Sequence, residues 1–144
     1  MKYVIIGNSA AGIGAVEGIR QVDRQGEITI VSDEPHHTYS RPLISYLLLG
    51  KVTEETMKYR NDQFYTENNV RLLHAAATEI DTEHKQVALS DGSRIPFDKL
   101  LIATGSSAFV PPFEGLDTVQ NKCTFMSLDD AQKLDKMLGK SEGK

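Results

Sequence analysis

Apolar residues enter this chain first as short unbroken runs and later as mixed ones. Tyr3-Val4-Ile5-Ile6 and Ile28-Thr29-Ile30-Val31 are rich in β-branched residues and nearly free of polar positions, the pattern of strands covered on both faces of a parallel sheet. Between them, residues 10–22 carry small and apolar side chains without a proline and predict a helix. Strand, helix and strand within about 30 residues make a βαβ unit, whose crossover is right-handed. Val70-Arg71-Leu72-Leu73 predicts a third parallel strand, and Lys99-Leu100-Leu101-Ile102-Ala103 a further buried one. Residues 75–80, 86–90 and 94–97 are short and mixed, with Asp91-Gly92 as a turn signal, and predict an antiparallel meander. The fold class expected is therefore α/β, a Rossmann-like βαβ parallel sheet with a small antiparallel β-meander insertion.

The remaining segments are less regular. Pro35 and Pro42 oppose a continuous helix through the stretch 33–50, so a short helix is expected only over 43–49. Residues 53–69 read as a polar helical region opened by the capping pattern Thr53-Glu54-Glu55-Thr56. Residues 106–122 are loop-rich around Pro111-Pro112, and 127–138 predict a helix with Ser127 as its N-cap. The polar tail 139–144 reads as a linker, which leaves one domain over 1–138.

Composition narrows the function classes. With 144 residues, 40% hydrophobic and 25% charged, the chain suits one soluble core. A net charge of −4 supplies no basic stripe for nucleic acid. No apolar run approaches the roughly 18 residues of a membrane span, and the N-terminal run is too short, and too soon broken by Gly7, for a signal peptide. One cysteine, Cys123, excludes an intramolecular disulfide and fits a reducing, cytoplasmic setting. His36-His37 reads as a polar loop, since no acidic or cysteine ligands stand at metal spacing. No metal site and no catalytic side chain are assigned.

The first chemical signal is Gly7-Asn8-Ser9-Ala10-Ala11-Gly12, placed between a predicted strand and helix. Gly7 permits the tight turn, a small Ser9 lets backbone approach a pyrophosphate, and Gly12 allows the helix to pack close to the sheet. The amides at the helix start, including Ala10 and Ala11, offer hydrogen bonds and partial positive charge to phosphates. Gly14 and Gly18 are expected to serve helix packing. Asp33 and Glu34 follow the second strand, about 20 residues beyond the loop, where a carboxylate accepts ribose hydroxyls and repels a 2′-phosphate. Which of the two makes the contact is left open. Loop and acid together predict adenine-dinucleotide binding.

Two further segments, Tyr39-Ser40-Arg41-Pro42-Leu43-Ile44-Ser45 and Phe97-Asp98-Lys99-Leu100-Leu101-Ile102-Ala103-Thr104-Gly105-Ser106, resemble those of the pyridine nucleotide-disulfide oxidoreductase superfamily. The likeness is to its NADH:rubredoxin reductase, nitrite reductase large subunit and NADH oxidase branch, over nearly the whole chain. The resemblance implies FAD as cofactor. It places Ala103, Thr104 and Gly105 close to the flavin nucleotide, Arg41 and Pro42 beside the flavin and its phosphates, and the backbone near Ala77 and Thr78 against adenine. It implies an FAD-binding domain of an NAD(P)H-dependent reductase, passing electrons from NAD(P)H through FAD to an acceptor, which includes the case of an acceptor protein. The alternatives are a stand-alone module that binds FAD or NAD without turnover, and a structural subunit with a vestigial site.

The sequence departs from its relatives in places. Leu49 stands where some carry a redox cysteine, and no Cys-x4-Cys pair is present, so cysteine-based disulfide or peroxide chemistry is not expected. Cys123 is read as a buried or incidental thiol, and Met126 stands where relatives often place an arginine. The resemblance also implies an NAD(P)H-binding domain and a returning Gly-Asp segment that this sequence lacks, so the flavin domain is incomplete relative to the family. Residues 139–144 would lead towards that absent domain. Apolar surface left open in this way would favour self-association.

Overall fold

The computed structural model describes residues 1–140. In chain order its elements are β1 (Lys2–Ile6), α1 (Ala10–Val22), β2 (Glu27–Ser32), α2 (Ile44–Leu48), α3 (Phe64–Glu67), β3 (Val70–His74), β4 (Ala77–Asp81), β5 (Gln86–Leu89), β6 (Arg94–Pro96), β7 (Lys99–Ile102) and α4 (Leu128–Lys140). They fall into two compact units. The first holds Met1–Tyr39 and Lys58–Gly105; the second holds Ser40–Met57 and the chain from Ser106 onward.

The first unit is built on a parallel sheet of order β3-β2-β1-β7, with a second, antiparallel sheet β4-β5-β6. Residues alternate across the parallel sheet, because successive side chains of a strand point to opposite faces. Ile5, Ile28 and Ile30 cluster with Ile13 and Val16 of α1 and with Phe64 of α3. Val4, Ile6 and Val31 instead cluster with Val87 and Leu89 of the antiparallel sheet. The result is three layers, helix on sheet on sheet, and each buried aliphatic chain contributes roughly 1.5–3 kcal/mol of transfer free energy. The βαβ unit, the third strand and the meander all form as the pattern predicts.

Three expectations are corrected and one is narrowed. β7 is not covered on both sides: it is an edge strand of the parallel sheet, and Leu101 and Ile102 are 39% and 61% exposed. An apolar run signals a wish for burial, and among the described residues β1 alone pairs with this strand. The polar helix expected over 53–69 shrinks to α3: Thr53 and Thr56 do exchange the expected capping bonds, at 3.3 and 2.9 Å, but they close a single turn, after which Lys58 pairs with Tyr39 in an isolated antiparallel bridge. Gly14 and Gly18 do not serve packing, because a Cβ at either would meet nothing within 4 Å. Of the two readings of Cys123, buried or incidental, its exposure removes the first and leaves the second.

The correction at the glycines carries a prediction. Both positions are exposed and helical, so alanine there removes backbone freedom from the unfolded chain at no steric cost. Gly14→Ala and Gly18→Ala should each stabilise by about 0.5–1 kcal/mol. Urea unfolding followed by circular dichroism checks this, and a lower midpoint for either variant contradicts it.

The second unit contains a 3₁₀ turn over Arg41–Leu43 that leads into α2, and the longer helix α4. Pro42 sits in the first turn of that 3₁₀ segment, where its missing N–H costs nothing. Ser127 caps α4 as the sequence predicts. Its Oγ accepts from Asp130 N at 3.1 Å, while Asp130 Oδ2 accepts from Ser127 N at 3.2 Å, a reciprocal capping box. The helix continues through Gly139 and Lys140, into the segment expected as linker; residues 141–144 lie outside the described residues. Among the described residues no helix is long and apolar enough to cross a membrane.

Asp130 also accepts from Met126 N and Thr124 Oγ1. Partial burial pushes its carboxyl up, but these hydrogen bonds outweigh burial and hold it below the usual carboxylate range. A carboxylate lowered on folding contributes stability above its unfolded value of about 3.9 and loses it as pH falls through the folded value. Asp130→Ala should therefore cost about 1 kcal/mol at neutral pH, and wild type and variant should converge in acid below the lowered value. Thermal melts across that range test the expectation.

Candidate nucleotide-binding site

The site lies within the first unit, where β1 gives way to α1. Gly7 N donates to Val31 O at 2.8 Å, which fixes the end of β1 against β2. Gly7 has φ of +121°, a conformation that side-chain-bearing residues rarely adopt. A Cβ there would collide with the carbonyl oxygen of Ala103, and Thr104 N stands 3.3 Å away. The missing side chain is thus what lets the segment after β7 lie against the loop. Ala103 N in turn donates to Ile6 O at 2.8 Å. A Cβ on Gly12 would strike the Gly7 carbonyl oxygen and approach Ile5 Cγ2 at 3.4 Å, so Gly12 allows α1 to start close over strand and turn.

Helix α1 opens without a side-chain cap. Ser9 occupies the N-cap in extended conformation and makes no capping hydrogen bond, and the first turn carries no acidic residue. The first intrahelical bond runs from Ile13 N to Ser9 O, so the amides before it have no partner within the helix. Ala10 and Ala11, which carry two of those amides, are exposed. The helix dipole adds to their preference for an anion. This opening also sits at a topological switch point. The chain moves from β1 to β2 and β3 on one side, while β7 lies on the other, and ligands of open parallel sheets bind outside the carboxyl ends of strands at such a point.

The neighbouring carboxylates differ in environment. Glu34 Oε2 accepts from Tyr39 OH at 2.7 Å, and Glu34 is half-buried; Asp33, directly after β2, is exposed. Past β3 the chain stays near this strand end, with Ala75 N donating to Ser32 O at 2.9 Å before Ala77 begins β4. Thr78 is exposed, and its Oγ1 donates to Ala88 O at 3.2 Å.

The structure therefore brings Gly7, Ser9, Ala10, Ala11 and Gly12 together with Ala103 and Thr104, and places Asp33, Glu34 and Ala77 at the same end of the parallel sheet. Gly105 follows with φ of +69°. Arg41 and Pro42 belong to the second unit, where Arg41 Nη1 donates to Met126 O at 3.0 Å.

Residues that sequence reasoning passed over surround the loop. Asn8 Oδ1 accepts from Tyr65 OH at 2.8 Å, and Asn8 Nδ2 donates to His36 O at 3.3 Å. Tyr65 OH also accepts from Thr38 N at 3.2 Å. Burial pushes the Tyr65 phenol up, a shift that the bonds to Thr38 and Asn8 only partly offset, so it stays protonated as the donor to Asn8 at neutral pH. These partners lie 57 and 27 residues from Tyr65, and no local pattern announces them. The two histidines turn out to frame this group: the His37 ring meets the Tyr65 ring edge-on at 5.0 Å. Among the described residues no set of three or more His, Cys, Asp or Glu is grouped to hold a metal ion.

Comparison with known proteins follows the same outline. A family model described as pyridine nucleotide-disulphide oxidoreductase matches residues 1–141. The NADH-dependent phenylglyoxylate dehydrogenase subunit epsilon of Aromatoleum evansii is 38% identical over 134 residues, covering 92% of this chain and 32% of its own. The rubredoxin-NAD(+) reductase of Pseudomonas putida is 34% identical over 143 residues, covering 98% of this chain and 37% of its own. Among solved structures, the covalent putidaredoxin reductase–putidaredoxin complex matches with a TM-score of 0.84 at 30% identity, over 95% of this chain and 34% of the other. The chain thus spans about a third of the length of these relatives.

Proposed function

The chain belongs to the pyridine nucleotide-disulphide oxidoreductase family, and from that premise we propose that it is the FAD-binding part of an NAD(P)H-dependent flavoprotein reductase. The observation that carries this reading is the uncapped first turn of α1, held over Gly7 with the backbone of Ala103 and Thr104 alongside. The loop fits a pyrophosphate, because the amides of the exposed Ala10 and Ala11 have no partner within the helix and no acidic side chain stands in the first turn to repel an anion.

In this reading the amides at Ala10, Ala11 and Gly12 receive the diphosphate of FAD, and Ser9 is small enough for close approach. Asp33 accepts the ribose hydroxyls, since Glu34 is already engaged by Tyr39. The backbone at Ala77 and Thr78 faces adenine, and Ala103, Thr104 and Gly105 border the flavin nucleotide. For Arg41 and Pro42 the resemblance alone supports a role beside the flavin. Bound FAD supplies the electron transfer itself, between NAD(P)H and an acceptor; the residues of this chain hold and orient it. Relatives named for rubredoxin and putidaredoxin make a small redox protein the acceptor we favour, and a cytoplasmic setting fits such a partner.

Purified protein is incubated with FAD, freed of excess by gel filtration and scanned in the visible. Retention of a flavin band, displaced by ADP, supports the proposal. Loss of all flavin, together with no calorimetric heat from ADP, overturns it.

A further inference from the structure

The phosphate loop is not held by its glycines alone. Asn8 lies between Gly7 and the helix start, and its side chain is fixed at both ends: Oδ1 by the Tyr65 phenol at 2.8 Å, Nδ2 on the His36 carbonyl at 3.3 Å. Tyr65 has a second grip, accepting from Thr38 N at 3.2 Å. One phenol therefore ties the glycine loop to the segment that follows Asp33 and Glu34. Its ring is anchored in turn, packed against the helix-side core and edge-on to Phe64 at 5.6 Å and to His37 at 5.0 Å.

We propose that Tyr65 is a positioning residue of the nucleotide site: through Asn8 it holds the loop in the shape whose amides receive a diphosphate. The proposal rests on the flavin-binding reading and adds to it a residue that touches no part of the nucleotide. A loop free to rotate its peptide planes would spend part of its binding free energy on ordering. Tyr65 removes that cost beforehand. Tyr65 grips the loop itself through Asn8, whereas its bond from Thr38 N lies several residues beyond Asp33, so loosening Tyr65 should be felt at the diphosphate more than at the nucleoside.

The test uses ADP and adenosine as probes, titrated into wild type, Tyr65→Phe, Asn8→Ala and the double variant by calorimetry, with NMR shifts for weak binding. Phenylalanine keeps the ring packing, and Asn8→Ala cuts the same link from its other end, at a loop side chain outside the core. Each single variant should weaken ADP roughly fivefold, the order of one hydrogen bond. The double variant should lose clearly less than the sum of the two singles, because both remove the same Tyr65–Asn8 bond, while Asn8→Ala also cuts the bond to His36 O and Tyr65→Phe the one from Thr38 N. Adenosine should bind all four proteins alike.

An ADP affinity in Tyr65→Phe within twofold of wild type overturns the proposal, as does equal weakening of ADP and adenosine, or additive effects of the two substitutions. Wild type that binds neither FAD nor ADP defeats the flavin reading, and the positioning role falls with it. Wild type that binds while Tyr65→Phe matches it defeats the positioning role alone.

Discussion

A Gly7→Ala protein should lose about 2–5 kcal/mol of stability and retain no flavin. Two separate costs lead to this. The backbone at Gly7 holds φ of +121°, which strains any residue with a Cβ by about 1–3 kcal/mol. The added methyl also meets the Ala103 carbonyl oxygen, a backbone atom fixed by the adjacent strand, so relief requires moving β7 or the loop, and such overpacking costs about 1–3 kcal/mol more. Domains of this size hold only about 5–15 kcal/mol in total, and the melting temperature should fall on the order of 10 °C. Gly12→Ala is the informative companion. Its backbone is helical, so alanine gains about 1 kcal/mol in propensity, yet its methyl strikes the Gly7 carbonyl. The clash should prevail, making this variant less stable than wild type. Gly14→Ala, two residues along the same helix, moves the other way. If thermal melts place Gly12→Ala with Gly14→Ala, the close approach of helix to loop is wrong.

That opposition between neighbouring glycines marks how far the sequence could be read. The roles of Gly7 and Gly12 follow from where a strand must turn into a helix, and the local pattern carries that geometry. Gly14 and Gly18 look the same in the string, but whether a helical glycine faces another element is a tertiary fact. The four parallel strands were legible as largely apolar runs, and the meander as short mixed segments around the Asp91-Gly92 turn. The exposure of Ile102 was not, since a run records what a strand would bury and not which neighbours cover it. Thr53 and Thr56 show a second limit, since a capping pair marks where a helical turn starts and not how far it runs. Asn8 and Tyr65 show the third. A link across 57 residues leaves no periodic trace, and a tyrosine beside Phe64 reads simply as core.

The choice between the two acids at the end of β2 was open in the sequence, and the Tyr39 bond to Glu34 favours Asp33 for the proposed ribose contact. Asp33→Asn should weaken binding of ADP and FAD by roughly 10- to 100-fold, the range of about 1.5–3 kcal/mol for hydrogen bonds to a charged acceptor. The asparagine keeps size and one acceptor but loses the negative charge that two ribose hydroxyls favour. Glu34→Gln should change affinity by no more than about threefold. Its Oε2 is occupied by the Tyr39 hydroxyl at 2.7 Å, a bond that an amide oxygen also accepts. A second readout separates charge from shape. An adenosine 2′,5′-bisphosphate probe places a phosphate where Asp33 would repel it, so Asp33→Asn should bind this probe better than wild type does while binding ADP worse. Calorimetry with the two probes on both variants decides the matter. If Glu34→Gln suffers the loss and Asp33→Asn does not, the roles are reversed, and Tyr39 then orients the ribose ligand rather than occupying the idle neighbour.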